Sequence, residues 1–308
     1  MPKLKIPFLK PVVPPHVFCL VGEGVTYARV RDEAPEGFVE ARHFKYPTGS
    51  LGGPSGGVPL VTREAVAEAV KAARALAGGR LSRASVVYPD AWARIVPVEL
   101  ETMPTDAASG IEMVLWKLRK LLPTLPADVA LVYAPMPVLG EEKRVLAAAT
   151  PRAAVEAIER AFEELGVRIG YLAPSSLALF EGLAPALSAA AAGDWALLHR
   201  SGGALAFFIG RGAEPIFFRA RPPGDAEDHE QEARLSLSYY AERLKGPGLR
   251  AVFVHDEGAE EPLASAAAFP VAPVAVTGRL LGADAGFDER VRARPELLAG
   301  YAAARGRA

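Results

Sequence analysis

Apolar residues recur at helical spacing after Thr62: Ala65, Val66, Ala69, Val70, Ala73 and Leu76 share one face, Thr62 suits an N-cap, and Gly78-Gly79 stops the run. The same period predicts a helix over 106–122, with Ile111, Val114, Leu115, Leu118 and Leu122 on one face before Pro123. A third helix opens at Pro151, read as an N1 proline, and closes at Leu165 with Gly166 as its C′ residue. Others are predicted over 175–187, with Ser175 or Ser176 as cap, over about 227–245, over 263–269 and over 295–305. Short apolar runs bounded by turn residues predict strands: two around a tight turn at Gly22-Glu23-Gly24 within 17–30, then 38–46, 84–88, 93–100, 129–133, 144–149 and 167–173. In the second half they fall at 195–199, 204–210, 215–219 and 251–255, with 271–276 extended or irregular. Pro97 places its strand at an edge or bulge. Prolines 2, 7, 11, 14 and 15 keep residues 1–15 extended, and the Gly-rich stretch 47–59 reads as a loop.

Three strands followed by alternating helices and strands occur twice, which predicts an α/β chain of two lobes, each a mixed sheet flanked by helices. Such a plan leaves a cleft between the lobes, the usual place for a ligand. A length of 308 residues accommodates two such units. A net charge of -1 supplies no positive field for phosphate backbones, which argues against nucleic acid as a partner. A single cysteine, Cys19, excludes a disulfide framework and a multi-thiolate zinc site. The longest apolar stretches, 183–198 and 263–281, are interrupted by prolines and charges, so neither is read as a bilayer span.

Candidate chemistry is sparse. Gly22, Gly24, Gly202 and Gly203 suit either phosphate-cradling turns or ordinary hairpin turns that need positive φ, and the second reading is favoured. His199 and Arg200 read as an exposed turn, with direct phosphate contact as the alternative. The acidic run 225–232 reads as a helix N-terminus complementing its dipole rather than a metal site. The histidines at 16, 43, 199, 229 and 255 show no i, i+4 pair, so no metal site and no Ser-His-Asp or Cys-His arrangement is assigned. Residues 52–57 lack the Lys-Ser/Thr end of a P-loop.

Several segments, taken in order, resemble the type IV pilus assembly protein PilM family of the actin-like ATPase fold. Residues 85–123 contain VVYPDAWARIVPVELETMP and then EMVLWKLRKLLP, similar to the family's strand-turn-strand, "MP", Trp-bearing helix and closing "LP". Residues 145–183 resemble its strand-helix-strand and S-x-A-L helix, 197–219 its second phosphate hairpin, and 301–305 its C-terminal helix. The resemblance implies an extended arm over 1–16, a first lobe over 17–188 with an inserted subdomain at about 90–150, and a second lobe over 189–308 whose last helix returns toward the first.

The family's Asp-x-Gly hairpins depart here. Leu20 stands where the first Asp is expected, ahead of Gly22; His199 and Ser201 stand at the second Asp and Gly; and the adenosine-side turn keeps one glycine, Gly258. Leucine cannot organise Mg²⁺. The expectation is therefore no catalytic residue and no cofactor, with ATP and Mg²⁺ as the alternative. The resemblance further implies a cytoplasmic adaptor peripheral to the inner membrane, touching the membrane indirectly. Its groove, in or near Met103, Trp116, Lys120, Leu121 and Leu122, would hold the N-terminal tail of a PilN-like membrane protein and link it to a motor ATPase. The rival readings are an active actin-like ATPase whose nucleotide state switches partner binding, and the cytoplasmic domain of a secretion-system platform protein.

Overall fold

Residues 13–31, 37–47, 61–104, 106–138, 142–222, 226–257 and 269–305 are described by the structure, a computed structural model. The loop expected at 47–59 (beyond Pro47), the helix expected at 263–269 (up to 268), most of the arm and Gly258 lie outside them.

The first lobe begins with β1 (His16–Val21), β2 (Gly24–Val30), β3 (Phe38–Lys45), α1 (Arg63–Leu76) and β4 (Arg83–Tyr88). After a single 3₁₀ turn at Asp90–Trp92 come β5 (Arg94–Leu100), α2 (Ala107–Leu121), β6 (Val129–Pro135) and β7 (Lys143–Pro151). The lobe closes with α3 (Arg152–Glu163), β8 (Arg168–Pro174) and α4 (Ser175–Ala191). The second lobe holds β9 (Trp195–Ser201), β10 (Ala204–Arg211), β11 (Glu214–Arg221), α5 (Ala226–Glu242), β12 (Ala251–Asp256), β13 (Pro273–Ala275) and the short helices α6 (Gly278–Leu281) and α7 (Ala285–Ala293). The last helix is α8 (Leu297–Arg305).

The first sheet has five strands in the order β3-β2-β1-β4-β8, and the second has five in the order β11-β10-β9-β12-β13. In each, an antiparallel meander is followed by parallel strands, and the lobe's first strand is central. The central strands are buried on both faces because helices cover both sides of the sheet; Val17 to Leu20 and all of β9 are buried. A third sheet, β5-β7-β6, is covered on one face by α2, whose Val114 and Leu118 pack on Val98, Val145 and Ala147. Pro97 lies on its edge strand β5, where no ladder donor is missed on the outer side.

Helix α4 joins the lobes. It is buried nearly all round because it lies between the two sheets, with Phe180 stacked on Trp195 and Phe208 of the second. Helix α8 returns to pack on α4, β1 and β4 of the first lobe. Three local expectations change. Pro151 is the residue before α3 rather than its first, because it still pairs with Val129 in the sheet. Pro174, not a serine, precedes α4, and neither Ser175 nor Ser176 caps it. Within the acidic run, Glu232 is buried and pairs with Arg219 and Arg221 on β11, so it belongs to the packing of α5 and not to an exposed dipole partner.

Candidate functional site

The two lobes meet where their central strands end. In the first, β1 turns at Gly22-Glu23, with Val21 paired to Gly24. In the second, β9 turns at Gly202-Gly203, with Ser201 paired to Ala204. Aligned by these turns, Gly202 corresponds to Gly22, Arg200 to Leu20 and His199 to Cys19. That moves the Asp position one residue from the expectation, onto Arg200, and the Gly position onto Gly202.

The glycines differ too. Gly202 and Gly203 have φ of +58° and +79°, so the second turn needs them. Neither Gly22 nor Gly24 lies at positive φ, which corrects the turn reading for both. Gly24 is required for another reason: a Cβ there would sit 2.2 Å from the Phe44 carbonyl oxygen. The second turn also touches the first lobe, since a Cβ on Gly202 would be 3.1 Å from Cβ of Pro89.

Behind this contact lies a chain of buried polar groups. His199 is fully buried and Arg200 is 8% exposed, so the exposed-turn reading fails for both. His199 Nε2 is 2.9 Å from Ser175 Oγ, and Ser175 Oγ is 2.5 Å from Glu257 Oε1. On its other side His199 Nδ1 lies 3.0 Å from Nδ1 of His255, whose Nε2 is 3.0 Å from the Pro295 carbonyl. The residues come from both lobes: Ser175 from the start of α4, His199 from β9, His255 and Glu257 from the end of β12, and Pro295 from the segment ahead of α8.

The order of donors follows from chemistry. A carbonyl only accepts, so His255 donates from Nε2 to Pro295. When both rings are neutral, His255 Nδ1 accepts from His199 Nδ1, His199 Nε2 accepts from the Ser175 hydroxyl, and Glu257 donates as a carboxylic acid to Ser175. Burial favours this neutral state. Burial pushes the Glu257 carboxyl up to about 8 and lowers His255 to about 4. Burial, with the adjacent His255, holds His199 well below the usual imidazole value.

Further polar contacts around this chain are also side chain on backbone or side chain on side chain. Asp90, following β4, accepts from the Ser176 backbone N–H at 2.9 Å and so serves the start of α4 from a distant segment; burial raises its carboxyl to about 7. Arg200 forms a two-pronged pair with Asp256. Glu296 accepts from Thr26 on the first hairpin, and Arg294 lies 3.2 Å from Glu23 at its tip. The segment 294–296 therefore joins the first hairpin to β12.

Ser175, His199 and His255 have the connectivity of a nucleophile, a base and an orienting group. They lack the access: Ser175 is 2% exposed, Glu257 holds its hydroxyl and Asp90 occupies the neighbouring amide. His199, His255 and Glu257 offer ligand atoms within 4.8 Å of one another. All four ring nitrogens already have hydrogen-bond partners, so we assign them as hydrogen-bonded rather than as metal ligands.

The expected groove residues do not share one surface. Met103 and Leu122 pack inward under α2, whereas Trp116 and Leu121 are 54% and 57% exposed. Lys120 Nζ lies 3.5 Å above the Trp116 ring, and Lys117 pairs with Glu101. A second apolar surface was missed, on the uncovered face of β6, where Val132 is 65% exposed and Ala134 is exposed. Its signal is the alternation of 130, 132 and 134 against the inward 129, 131 and 133.

A duplicated sheet of this order, joined by one shared helix and carrying an extra sheet in its first lobe, is the bilobal actin-like α/β fold. Among solved structures the chain is similar to the PilM–PilN type IV pilus biogenesis complex, with 20% identity and a TM-score of 0.70 over 96% of this chain and 98% of that one. It is also similar to the cytoplasmic domain of EpsL, an inner membrane component of the type II secretion system of Vibrio cholerae, with 11% identity and a TM-score of 0.51 over 90% of this chain and 94% of that one. At these identities the likeness is one of fold. No protein-family model matches the chain, and no curated protein matches it in sequence. Among the described residues no helix is long and apolar enough to cross a membrane.

Proposed function

We propose that this chain is a non-enzymatic adaptor of a type IV pilus inner-membrane assembly complex, working in the cytoplasm and holding the N-terminal tail of a PilN-like membrane protein. The observation that carries the reading is the cleft itself. Where an actin-like ATPase would hold nucleotide, the lobes are bridged by the chain's own buried Ser175, His199, His255 and Glu257. Seating a triphosphate there would part these contacts and place phosphate charge against Glu257 and Glu296. No carboxylate stands at Leu20 or Arg200 to organise Mg²⁺. The partner is drawn from the fold likeness to the PilM–PilN complex.

The tail would dock on the subdomain. Trp116, flanked by Lys120 and Leu121, is the aromatic anchor we favour, since exposed aromatics beside cations are the usual hot spots of such surfaces. A link onward to the motor ATPase belongs to the same proposal.

Calorimetry on the purified chain tests both halves. A synthetic PilN-type cytoplasmic tail is expected to release or absorb heat on binding, while ATP with Mg²⁺ gives none. Micromolar ATP binding would overturn the adaptor reading in favour of a nucleotide switch. Silence from the tail would remove the partner assignment and leave the closed cleft unexplained by it.

A further inference from the structure

The buried chain at the lobe junction runs through four contacts: Glu257 to Ser175, Ser175 to His199, His199 to His255, and His255 to the Pro295 carbonyl. Each needs one hydrogen. A protonated Glu257, the Ser175 hydroxyl and two neutral imidazoles supply one each, so the chain closes with none left over.

Take one proton away and the count fails. With Glu257 ionised and both rings neutral, the carboxylate and His199 Nε2 compete for the single Ser175 hydrogen, and the carboxylate keeps only the buried Ser201 hydroxyl as a donor of its own. One contact is lost and a charge is left in a buried site, where an unpaired charge is strongly unfavourable. The charges facing it give no relief. Asp90 and Glu296 both disfavour an ionised Glu257, and Cys19 lies across the cleft within range of both glutamates. Arg200, the nearest cation on β9, is committed to Asp256. His255, on β12, is buried and has Asp256 beside it. An ionised Glu257 balanced by an imidazolium would keep the hydrogen count but put two charges in the interior in place of none.

We propose that this chain is a proton-operated latch between the lobes: loss of one proton from Glu257 breaks the link through Ser175 that holds β9 and the end of β12 to α4. The latch concerns the cleft and is independent of the tail-binding surface on the subdomain. Its consequence is an adaptor whose lobe closure responds to pH without a nucleotide.

Hydrogen exchange on the full chain reads the latch, with amide rates corrected for the chemical effect of pH. Opening lets Glu257 ionise, so the opening constant rises up to about tenfold per pH unit while the closed form keeps the proton. Between pH 6.5 and 7.5, exchange at residues 175–178 and 199–203 is expected to rise about fivefold to tenfold in the wild type. Glu257→Gln supplies an amide donor to Ser175 at every pH and is expected to stay within about twofold over that range. Ser175→Ala breaks the chain and is expected to exchange fast at both pH values.

A parallel rise in wild type and Glu257→Gln would overturn the proposal, as would loss of protection in Glu257→Gln at pH 6.5. Wild-type behaviour in Ser175→Ala would also overturn it. Infrared difference spectra of wild type against Glu257→Gln at pH 6.5 give an independent reading. A carboxylic-acid carbonyl band assigned to Glu257 is expected, and a carboxylate band in its place sinks the latch.

Discussion

The two lobes share one strand order and differ in what their central strands carry to the cleft. In the first, β1 ends in Cys19, Leu20 and Val21, and its interior is oil. In the second, β9 ends at the same register in His199, Arg200 and Ser201, all buried. An apolar strand end needs only packing. A polar one must find a partner for every donor and acceptor or leave groups unsatisfied at a cost of about 1–3 kcal/mol each. His199 finds one partner on α4 and one on β12, and Arg200 finds Asp256 on β12. The same backbone architecture thus lets one strand end rest on packing alone and ties the other to specific hydrogen-bond partners.

Four experiments break or sharpen that contrast. The largest effect is expected from His199→Ala, which leaves Ser175 Oγ and His255 Nδ1 each one partner short beside a new cavity. It should lower unfolding free energy by about 3 kcal/mol. Cys19→Ala, at the matching register of the first lobe, should lower it by about 1 kcal/mol, because packing and one weak sulfur hydrogen bond at Gly300 are lost. Equal losses in a denaturant titration would erase the distinction between the lobes.

Next is pH. Below pH 6.5 the unfolded imidazoles of His199 and His255 take protons that the folded ones refuse, so these two groups lose stability as pH falls. Glu257 and Asp90 act oppositely. Their folded carboxyls keep protons that the unfolded ones release, so stability falls as pH rises toward about 8 and about 7. Two against two, the slopes cancel between about pH 4.5 and 6.5. Above that the carboxyls act alone, and stability should drop by about 2–3 kcal/mol between pH 6.5 and 8. A rise over that interval, measured by denaturant midpoints, would show that these carboxyls are ionised in the folded chain.

The turns come third. Gly203→Ala forces a side chain into a left-handed conformation and should cost about 1–2 kcal/mol, while Gly22→Ala, with open space around it, should stay within about 0.5 kcal/mol. Thermal midpoints of the two variants measure the difference. Last, Trp116→Ala removes an exposed ring and should leave stability within about 0.5 kcal/mol. The same change should weaken binding of a PilN-type tail about tenfold or more by calorimetry. Unchanged binding would shift the docking surface to the uncovered face of β6.

The helices and strands were legible because their signals are local. The face of Ala65, Val66, Ala69, Val70 and Ala73 needs only the helical period, and all five are buried as that period requires. The duplicated meander was legible for the same reason, since turn residues and apolar runs mark each strand. The site was not. Ser175 and Ser176 look like caps because serine before an apolar run usually is one. Asp90 takes that role for the Ser176 amide from 86 residues away, and no spacing rule connects them. Trp116 was ambiguous because it lies one step from the apolar stripe, and only the seating of α2 on its sheet turned it outward.

Sequence alone determined the α/β class and the repeated order of elements, because periodicity and turn chemistry are properties of neighbouring positions. Only the tertiary structure decided that His199 is buried, that it meets His255 and Ser175, and that Glu257 and Pro295 complete the chain. Those partners are brought together by the docking of one lobe on the other. Hydrogen-bond satisfaction in a buried site is a property of that assembled volume, where the contacts join residues 24 to 82 positions apart and no local pattern records them.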